Sequence, residues 1–148
     1  YENIDKMYSR LWLRSRPNAV WVYNQDIEPQ LATMSIGVGA AGQPVYLPPG
    51  GASATPYSTI MGRPAFPVEY CATLGTTGDI MLVDFSQVAA IEKDAMQADQ
   101  SIHVRFTTNE NTFRFIYRYD AQPTWNSALT PFKGSATKSF AVKLDTRA

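Results

Sequence analysis

The 148-residue sequence has few of the residues that build metal and redox sites. Its single cysteine, Cys71, excludes an intrachain disulfide and a zinc site held by several thiolates. Its single histidine, His103, excludes a metal site that is built on paired histidines. We therefore expect the chain to hold neither a metal ion nor another cofactor.

Long apolar runs and an excess of charge of one sign are missing as well. No run approaches the ~18–20 apolar residues that a membrane span requires. Thirteen Lys and Arg balance thirteen Asp and Glu, so the whole chain presents no bulk positive field to nucleic acid. Residues 1–6 include three charged side chains, and the sequence does not begin with Met. We therefore expect a globular piece of a longer intracellular protein.

The charge is balanced over the whole chain but not along it. Residues 1–17 hold four basic and two acidic residues, a net charge of +2. Residues 18–100 hold two basic and eight acidic residues, a net charge of −6, and residues 101–148 have a net charge of +4. This segregation fits either an ordinary solvated surface or oppositely charged faces that meet between copies of the chain.

An amphipathic helix is predicted near the start of the chain. The residues of its apolar stripe lie at helical spacing and are Ile4, Met7, Tyr8 and Leu11. The stripe predicts a helix over residues 3–13, with Asn3 as the N-cap. Pro17 is expected to stop it, because the residue before a proline is pushed away from the helical region.

A buried strand and a second helix are predicted next. Residues 19–23 are short, β-branched and aromatic, which is typical of a buried strand. The second helix is predicted at about residues 27–36, with Asp26 as its cap and Pro29 in its first turn. Gly37 is the expected C-terminal stop.

The composition changes over residues 37–67, which hold six of the nine glycines and six of the ten prolines. This predicts a long irregular loop, assigned to residues 37–59. Residues 37–42 match the G-x-G-x-x-G pattern of dinucleotide-binding sites. The pattern requires a strand before it and a helix after it, whereas a helix precedes it here and Gln43-Pro44 follows. A flexible loop is therefore favoured over a cofactor site.

Four further segments have strand character. Residues 66–70 predict a short edge strand, since proline is tolerated there. Residues 79–83 predict a central strand, and residues 140–144 alternate and predict a last strand. Residues 88–92 fit either a strand or a short helix.

The clearest local pattern predicts a β-hairpin. Two alternating segments would share one apolar face in a register that pairs Phe106 with Phe113, Val104 with Phe115 and Ile102 with Tyr117. That register leaves residues 108–111 as the turn and sets His103 opposite Ile116. Helices and mostly antiparallel strands, with no regular βαβ repeat, indicate an α+β fold.

The residues that suggest catalysis do not combine into an active site. No nucleophile elbow accompanies His103, and Cys71 is expected to be a buried thiol without a role. Asp79 and Asp84 flank a strand at an odd offset, so they point to opposite faces. We expect no catalytic, cofactor-binding or metal-binding residues.

Two further groups of side chains invite a binding role. Trp12, Trp21 and Trp125 fit a sugar-stacking platform, although packing in a core or an interface is favoured. Three arginines alternate on the predicted hairpin and would share a solvated or subunit-facing side: Arg105, Arg114 and Arg118.

Several motifs in order along the chain resemble a known family. They lie at Ala19–Asn24, Ile60–Tyr70, Leu74–Gln87, Ser101–Phe106 and Phe113–Pro123. Together they resemble the major capsid proteins of tailed phages, which have the Hong Kong 97-type shell fold. Val88 and Ala121 depart from the pattern, in which Tyr and Gly are usual at those places.

The resemblance implies a division of the chain and a role. Residues 1–17 would be a helix at the end of a truncated preceding region, residues 18–90 an axial-type domain with the loop 37–59, and residues 91–148 peripheral-domain strands. The subunit would tile an icosahedral phage or prophage shell as pentamers and hexamers, without catalysis. Since the family's N-terminal arm, extended loop and spine helix are not in this sequence, we expect this chain alone to be monomeric and not to form shells.

The partners implied by the resemblance are other copies of the subunit, with scaffold, portal or decoration proteins in addition and packaged DNA only indirectly. We expect no membrane partner, and a location in the virion and in the host cytoplasm during assembly. The subunit-interface residues expected from these patterns are Tyr46, Leu47, Tyr57, Arg63, Arg105, Arg114 and Arg118.

Two other readings of the sequence compete with the capsid one. A carbohydrate-binding or adhesion module would use Tyr46, Tyr57 and the tryptophans. A small hydrolase would act through Cys71 or His103.

The first prediction concerns covalent cross-linking, which some members of the resembled family form between Lys and Asn with help from a buried Glu. Asn111 begins the strand where such an Asn would lie, but residues 112–119 contain no acid to take the proton. We therefore expect mature particles to give a single monomer band on denaturing gels. A covalent ladder that disappears in the Asn111→Asp variant would contradict this prediction.

Overall fold

The computed structural model describes residues 1–36, 42–49 and 56–146. The chain forms two units, one of residues 1–86 and 125–148 and one of residues 87–124. Most strand pairs are antiparallel, and two α-helices accompany them. The predicted α+β class is therefore confirmed.

The described elements follow one another in this order in the chain. The α-helices are α1 (Glu2–Arg10) and α2 (Glu28–Thr33). The strands are β1 (Val20–Tyr23), β2 (Ser35–Ile36), β3 (Gln43–Pro44), β4 (Tyr46–Leu47), β5 (Ser58–Ile60), β6 (Arg63–Pro67), β7 (Ile80–Val83), β8 (Val88–Glu92), β9 (Gln97–Ser101), β10 (Thr112–Ile116), β11 (Tyr119–Pro123) and β12 (Ala141–Lys143).

A six-stranded sheet organises the first unit in the order β12-β7-β1-β6-β5-β4. Strand β1 lies inside it, antiparallel to β7 and parallel to β6. Trp21 and Tyr23 of β1 are fully buried, and the indole Nε1 of Trp21 donates to the Ile60 carbonyl at 3.0 Å. The expected buried strand at 19–23 and the expected central strand at 79–83 are both found here.

The first helix is placed correctly but ends earlier than expected. Ile4, Met7 and Leu11 are buried and Tyr8 packs against the core, which confirms the apolar stripe. The helix ends at Arg10, and Tyr1 rather than Asn3 occupies the N-cap position. Its end is set by a tertiary contact, because the Trp12 amide donates to the Ser139 carbonyl at 2.8 Å, well before Pro17 is reached.

The second helix is shorter than predicted and has no side-chain cap. It is preceded by a 3-10 turn over Gln25–Ile27, which Asn24 caps by accepting from the Asp26 amide at 3.0 Å. Ile27 occupies the N-cap position of α2, so the predicted capping by Asp26 is wrong. The helix ends at Thr33, and the expected stop at Gly37 lies outside the described residues.

The prediction of an irregular loop over residues 37–59 is wrong for its described parts. Strands β3, β4 and β5 lie within or at the end of this stretch, and β4 and β5 belong to the six-stranded sheet. Most of the 37–42 glycine motif lies outside the described residues. Composition misled here because Pro48, Pro49 and Pro56 lie between β4 and β5 and leave both short strands uninterrupted.

The predicted edge strand at residues 66–70 is also corrected. Strand β6 lies between β1 and β5, in the interior of the sheet. Pro64 is the second residue of β6 and Pro67 is its last. Near the ends of a strand, a missing amide donor interrupts the hydrogen bonds of the sheet least. A two-residue turn with positive φ at Met61 and Gly62 joins β5 to β6, as in a tight hairpin.

The second unit contains a hairpin, but its partner strands and register differ from the prediction. Strand β10 pairs with β9, so that Phe113 lies opposite Gln100 and Phe115 opposite Ala98. Residues 102–105 are bends and turns, and Phe106–Thr108 form a 3-10 turn. The predicted pairing of Phe106 with Phe113 and the place of His103 opposite Ile116 are therefore wrong.

The two remaining strand predictions are resolved by pairing. Residues 88–92 form a strand, β8, which is antiparallel to β11. The last strand, β12, is found where it was expected, but it pairs with β7 in the first unit. It does not join the strands of residues 91–123, with which the sequence grouped it.

Both aspartates that flank β7 are buried. The Asp84 carboxylate accepts from the Ser86 amide at 3.0 Å and from the Ser86 hydroxyl at 2.6 Å, which holds the turn after β7. Burial raises the pKa of Asp84 and hydrogen bonds, above all from Ser86, lower it by more, so that it lies below the ordinary value of 3.8.

The second prediction concerns the pH dependence that follows from Asp84. Because its pKa is lower in the folded chain than in the unfolded one, its contribution to stability is present at neutral pH and is lost as the pH falls through the folded pKa, below about 4. We expect Asp84→Asn to cost about 1–2 kcal/mol at pH 7 and less at pH 3. Urea denaturation at the two pH values measures this difference. The exposed Asp26→Asn is the matched control, and an equal loss for both variants would contradict the prediction.

Arg63 fastens the start of β1 to the turn before β6. Its Nε donates to the Ala19 carbonyl at 3.2 Å, and its terminal nitrogen donates to the Pro17 carbonyl. These carbonyls lie just before β1, where its sheet partners cannot satisfy them. The arginine therefore satisfies backbone acceptors of its own chain.

The third prediction is that Arg63→Met destabilises the isolated chain by about 2 kcal/mol, because two charge-assisted hydrogen bonds are lost. Arg118→Met is the matched control, since this exposed arginine makes no side-chain hydrogen bond in the described part of the chain, and it should change stability by less than about 0.5 kcal/mol. Chemical denaturation of the purified variants gives both values. Equal stabilities would show that Arg63 does not hold the fold.

Candidate functional site

The second unit, residues 87–124, is a two-stranded ribbon. It consists of two consecutive antiparallel pairs, β8 with β11 and β9 with β10. The hydrogen bond from the Lys93 amide to the Arg118 carbonyl, at 3.0 Å, links the two pairs. None of its residues, all of which the structure describes, is buried. Two strands without a covered face are marginally stable in water, so the ribbon requires packing from elsewhere.

The ribbon exposes many large apolar side chains. Each of the following is more than half exposed: Ile91, Met96, Ile102, Val104, Phe106, Phe113, Phe115, Tyr117 and Tyr119. Single exposed apolar residues are ordinary, but such a concentration on one element marks an interaction surface. The ribbon is therefore the candidate functional site.

The most regular part of this surface is an aromatic row, which we define as Phe113, Phe115, Tyr117 and Tyr119. Phe113 and Phe115 alternate in β10 and share one of its faces, and Tyr117 and Tyr119 continue the same spacing across the break between β10 and β11. The rings of Tyr117 and Tyr119 are stacked, with centroids 6.3 Å apart and an interplanar angle of 13°. The Tyr117 hydroxyl donates to Glu92 Oε1 at 2.6 Å, a hydrogen bond that raises the pKa of Tyr117 and fixes its ring on this face.

Charged residues on the ribbon are paired within it. Arg114, which alternates with the aromatic row, donates to Asp99 Oδ2 at 2.6 Å, and these two residues lie opposite each other in the ladder. Arg105 donates to Glu110 Oε2 at 3.0 Å across the ribbon tip. The pairs offset local charge and contribute little stability, since both are exposed.

The structure removes one of the three arginines that the sequence placed on one face. Arg105 lies in the turn region and not in a strand, so it does not continue a row with Arg114. Arg118 is exposed between β10 and β11. The predicted basic row is therefore wrong for Arg105, and the shared face of Arg114 and Arg118 stays a prediction.

Two of the other predicted interface residues are engaged within their own chain. Tyr46 is 4% exposed, and its hydroxyl donates to Glu28 Oε1 at 2.7 Å. Burial and this hydrogen bond raise the pKa of Tyr46. Arg63 holds β1, as described above. Leu47 and Tyr57 are half-buried, and the ring of Tyr57 lies 6.0 Å from that of Phe66.

The tryptophans are packing residues. Trp21 lies in the core. Trp12 and Trp125 meet edge to face with ring centroids 5.0 Å apart, and Trp125 contacts Phe140 in the same way at 5.5 Å. A sugar-stacking platform needs open ring faces, so these contacts and the burial of Tyr46 weigh against the carbohydrate reading.

The two residues considered for catalysis, Cys71 and His103, belong to different units. His103 is exposed in the ribbon's turn region, while Cys71 is buried in the first unit. Burial, followed by the charge of Asp79, raises the pKa of the Cys71 thiol, which disfavours the nucleophilic thiolate. Within residues 1–36, 42–49 and 56–146, no three His, Cys, Asp or Glu side chains are placed to hold a metal ion.

The described helices are also too short or too polar to cross a membrane.

The sequence pattern contained the aromatic row but not its environment. Alternation of Phe113, Phe115, Tyr117 and Tyr119 is the same whether the apolar side faces a core or a partner. The signal that could have separated the two cases is the partner strand, since Gln97–Ser101 is polar and cannot complete an apolar face.

Comparisons with known proteins identify the family of the chain. A family model described as the phage capsid family matches residues 1–134. The comparison with curated proteins gave no match. The chain is similar to a solved structure described as the capsid of an empty GTA particle computed with C5 symmetry, with a TM-score of 0.58 and 16% identity.

The structural match covers 83% of this chain and 40% of the GTA capsid chain, so the present chain spans less than half of that protein's length. At this identity the likeness shows a shared fold. The family match, by contrast, extends over most of the sequence and confirms the resemblance to phage major capsid proteins. The chain belongs to the phage capsid family.

Proposed function

We propose that the chain is part of a subunit that tiles an icosahedral phage shell as pentamers and hexamers, with the ribbon as a lateral contact between subunits. The observation that carries this proposal is the aromatic row, which is exposed on an element that has no buried residue of its own. The role is mechanical, and no step of it requires catalysis.

The energetic argument rests on repetition. Each aromatic side chain that is buried at a contact contributes about 1.5–3 kcal/mol from the removal of apolar surface from water. One contact of this size is offset in part by the entropy of association. In a closed symmetric shell every subunit repeats the contact, and the modest contributions add up to a stable particle.

Charge adds direction to these contacts. The chain alternates from +2 to −6 to +4 along its length, and oppositely charged faces of neighbouring copies select one relative orientation. Leu47, Tyr57, Arg105, Arg114 and Arg118 stay in the proposal as accessible interface residues. Tyr46 leaves it because its side chain is buried, and Arg63 leaves it because its guanidinium satisfies two backbone carbonyls of its own chain, whereas the carboxylates that pair with Arg105 and Arg114 are exposed.

Other partners follow from the same role. We propose scaffold, portal or decoration proteins as further contacts, packaged DNA as an indirect one, and no membrane contact. The protein would act in the virion and would assemble in the cytoplasm of the bacterial host.

The fourth prediction tests the aromatic row. The capsid protein that contains this chain, expressed alone or with its neighbouring genes, should give uniform hollow particles in negative-stain electron microscopy. The double variant Phe113→Ser/Phe115→Ser should lose these particles. Its thermal unfolding should stay close to that of the parent, because both rings are more than 60% exposed in the chain.

Phe132→Ser is the matched control, since this phenylalanine is 99% exposed in the first unit. It should form particles like the parent. Particles of normal number and diameter from the double variant would show that the row is not a subunit contact. Dispersed monomers from the parent under all salt conditions would overturn the self-assembly proposal itself.

A further inference from the structure

A groove in the first unit lies between helix α1 and the end of the chain. It has a volume of about 420 Å³, within the range of about 300–1,000 Å³ that is typical of binding sites. Met7, Val142 and Leu144 form its apolar part, and three cationic side chains line it: Lys6, Arg10 and Lys143. Asp145 is its one acidic lining residue among those described.

The groove follows an open sheet edge. Strand β12 is the outermost strand of the six-stranded sheet, with β7 as its neighbour. The Phe140 carbonyl and the Leu144 amide both bond to the β7 side. Because backbone groups alternate in direction along an antiparallel strand, the amide and carbonyl groups of Ala141 and Lys143 point to the open edge. There the Ala141 amide makes only a long hydrogen bond, 3.4 Å, to the Ser139 hydroxyl, which an added strand would replace.

The same edge is already used for pairing just before the groove. The Trp12 amide donates to the Ser139 carbonyl at 2.8 Å, and the Ser139 amide donates to the Arg10 carbonyl at 3.2 Å. Residues 10–12 therefore act as a partial seventh strand that stops at Ser139. Beyond this point the edge is open, and an extended segment entering the groove would continue the pairing.

The charges determine which segment fits. Lys6 is paired only weakly, to Glu2 at 3.8 Å, and the Asp145 carboxylate is occupied by the Thr77 hydroxyl at 2.8 Å. Lys138 lies beside the groove and donates to the Ser9 carbonyl at 2.7 Å, which adds a further positive charge. The surroundings are thus cationic above an apolar floor.

We propose that the groove binds an extended acidic segment of a partner protein, which adds to the edge of β12 as a strand. Its main chain would bond to Ala141 and Lys143, its apolar side chains would lie on the side of Val142 and Leu144, and its carboxylates would face Lys143 on the other side. Lys6 and Arg10 would add to the attraction as nearby positive charges. A nucleic acid backbone would use the cations but neither the apolar floor nor the strand edge. This site is separate from the aromatic row and does not depend on the proposed lateral contact.

The experiment uses a capped hexapeptide of alternating glutamate and valine as the probe, with the lysine–valine peptide as the charge control. Titration by calorimetry should show saturable binding of the acidic peptide alone. Hydrogen exchange followed by NMR should show new protection of the Ala141 and Lys143 amides.

The variant Lys143→Glu should weaken binding about tenfold, since an attraction becomes a repulsion. Lys133→Glu makes the same change of net charge at an exposed lysine that does not line the groove, and should leave the affinity unchanged.

Three results would overturn the proposal. The first is unaltered exchange of the Ala141 and Lys143 amides at saturating peptide, which remains decisive even where Lys143→Glu fails to fold. The second is equal protection by a DNA duplex, which would assign the groove to phosphates. The third is a concentration-dependent dimer of the chain that Lys143→Glu abolishes, which would make a second copy the occupant.

Discussion

The position of strand β1 is the constraint on which the first unit depends. This four-residue strand pairs on one side with β7 and on the other with β6, so its removal would divide the sheet. Trp21 and Tyr23 place the largest buried side chains of the chain at this point. The Trp21 indole also bonds to Ile60 of β5, and Arg63 satisfies the carbonyls just before β1. Packing, ladder bonds and side-chain bonds thus fix the same strand.

The second unit, in contrast, has strand pairing but no buried core. Its ladders are complete, yet all of its residues are at least partly exposed, and its aromatic row faces outward. Backbone pairing can define a ribbon without a core, but it cannot by itself make one stable. A chain that combines a buried sheet with an uncovered ribbon is suited to a function in which neighbouring molecules supply the missing half of the core. The chain's membership in the phage capsid family is compatible with the proposed contact between subunits.

The two units also explain where sequence patterns succeeded. The apolar stripe of α1 and the buried strands β1 and β7 were found because burial on one side leaves a periodic trace in the sequence. The predicted register of the hairpin is wrong, because it requires the apolar residues of both strands to face a common core. In the ribbon no such core exists, so Phe113 lies opposite Gln100, and the pair of Arg114 with Asp99 satisfies the other face.

Residue types and local periodicity were enough to predict the α+β class and the resemblance to capsid proteins. The tertiary structure was needed to show that Tyr46 and Arg63 form hydrogen bonds within their own chain. It was also needed to show that β12 joins the first unit and that the aromatic row is exposed. Each of these depends on which distant segment lies alongside. Local patterns specify that a side chain needs an apolar or charged neighbour, but they do not specify whether that neighbour belongs to the same chain.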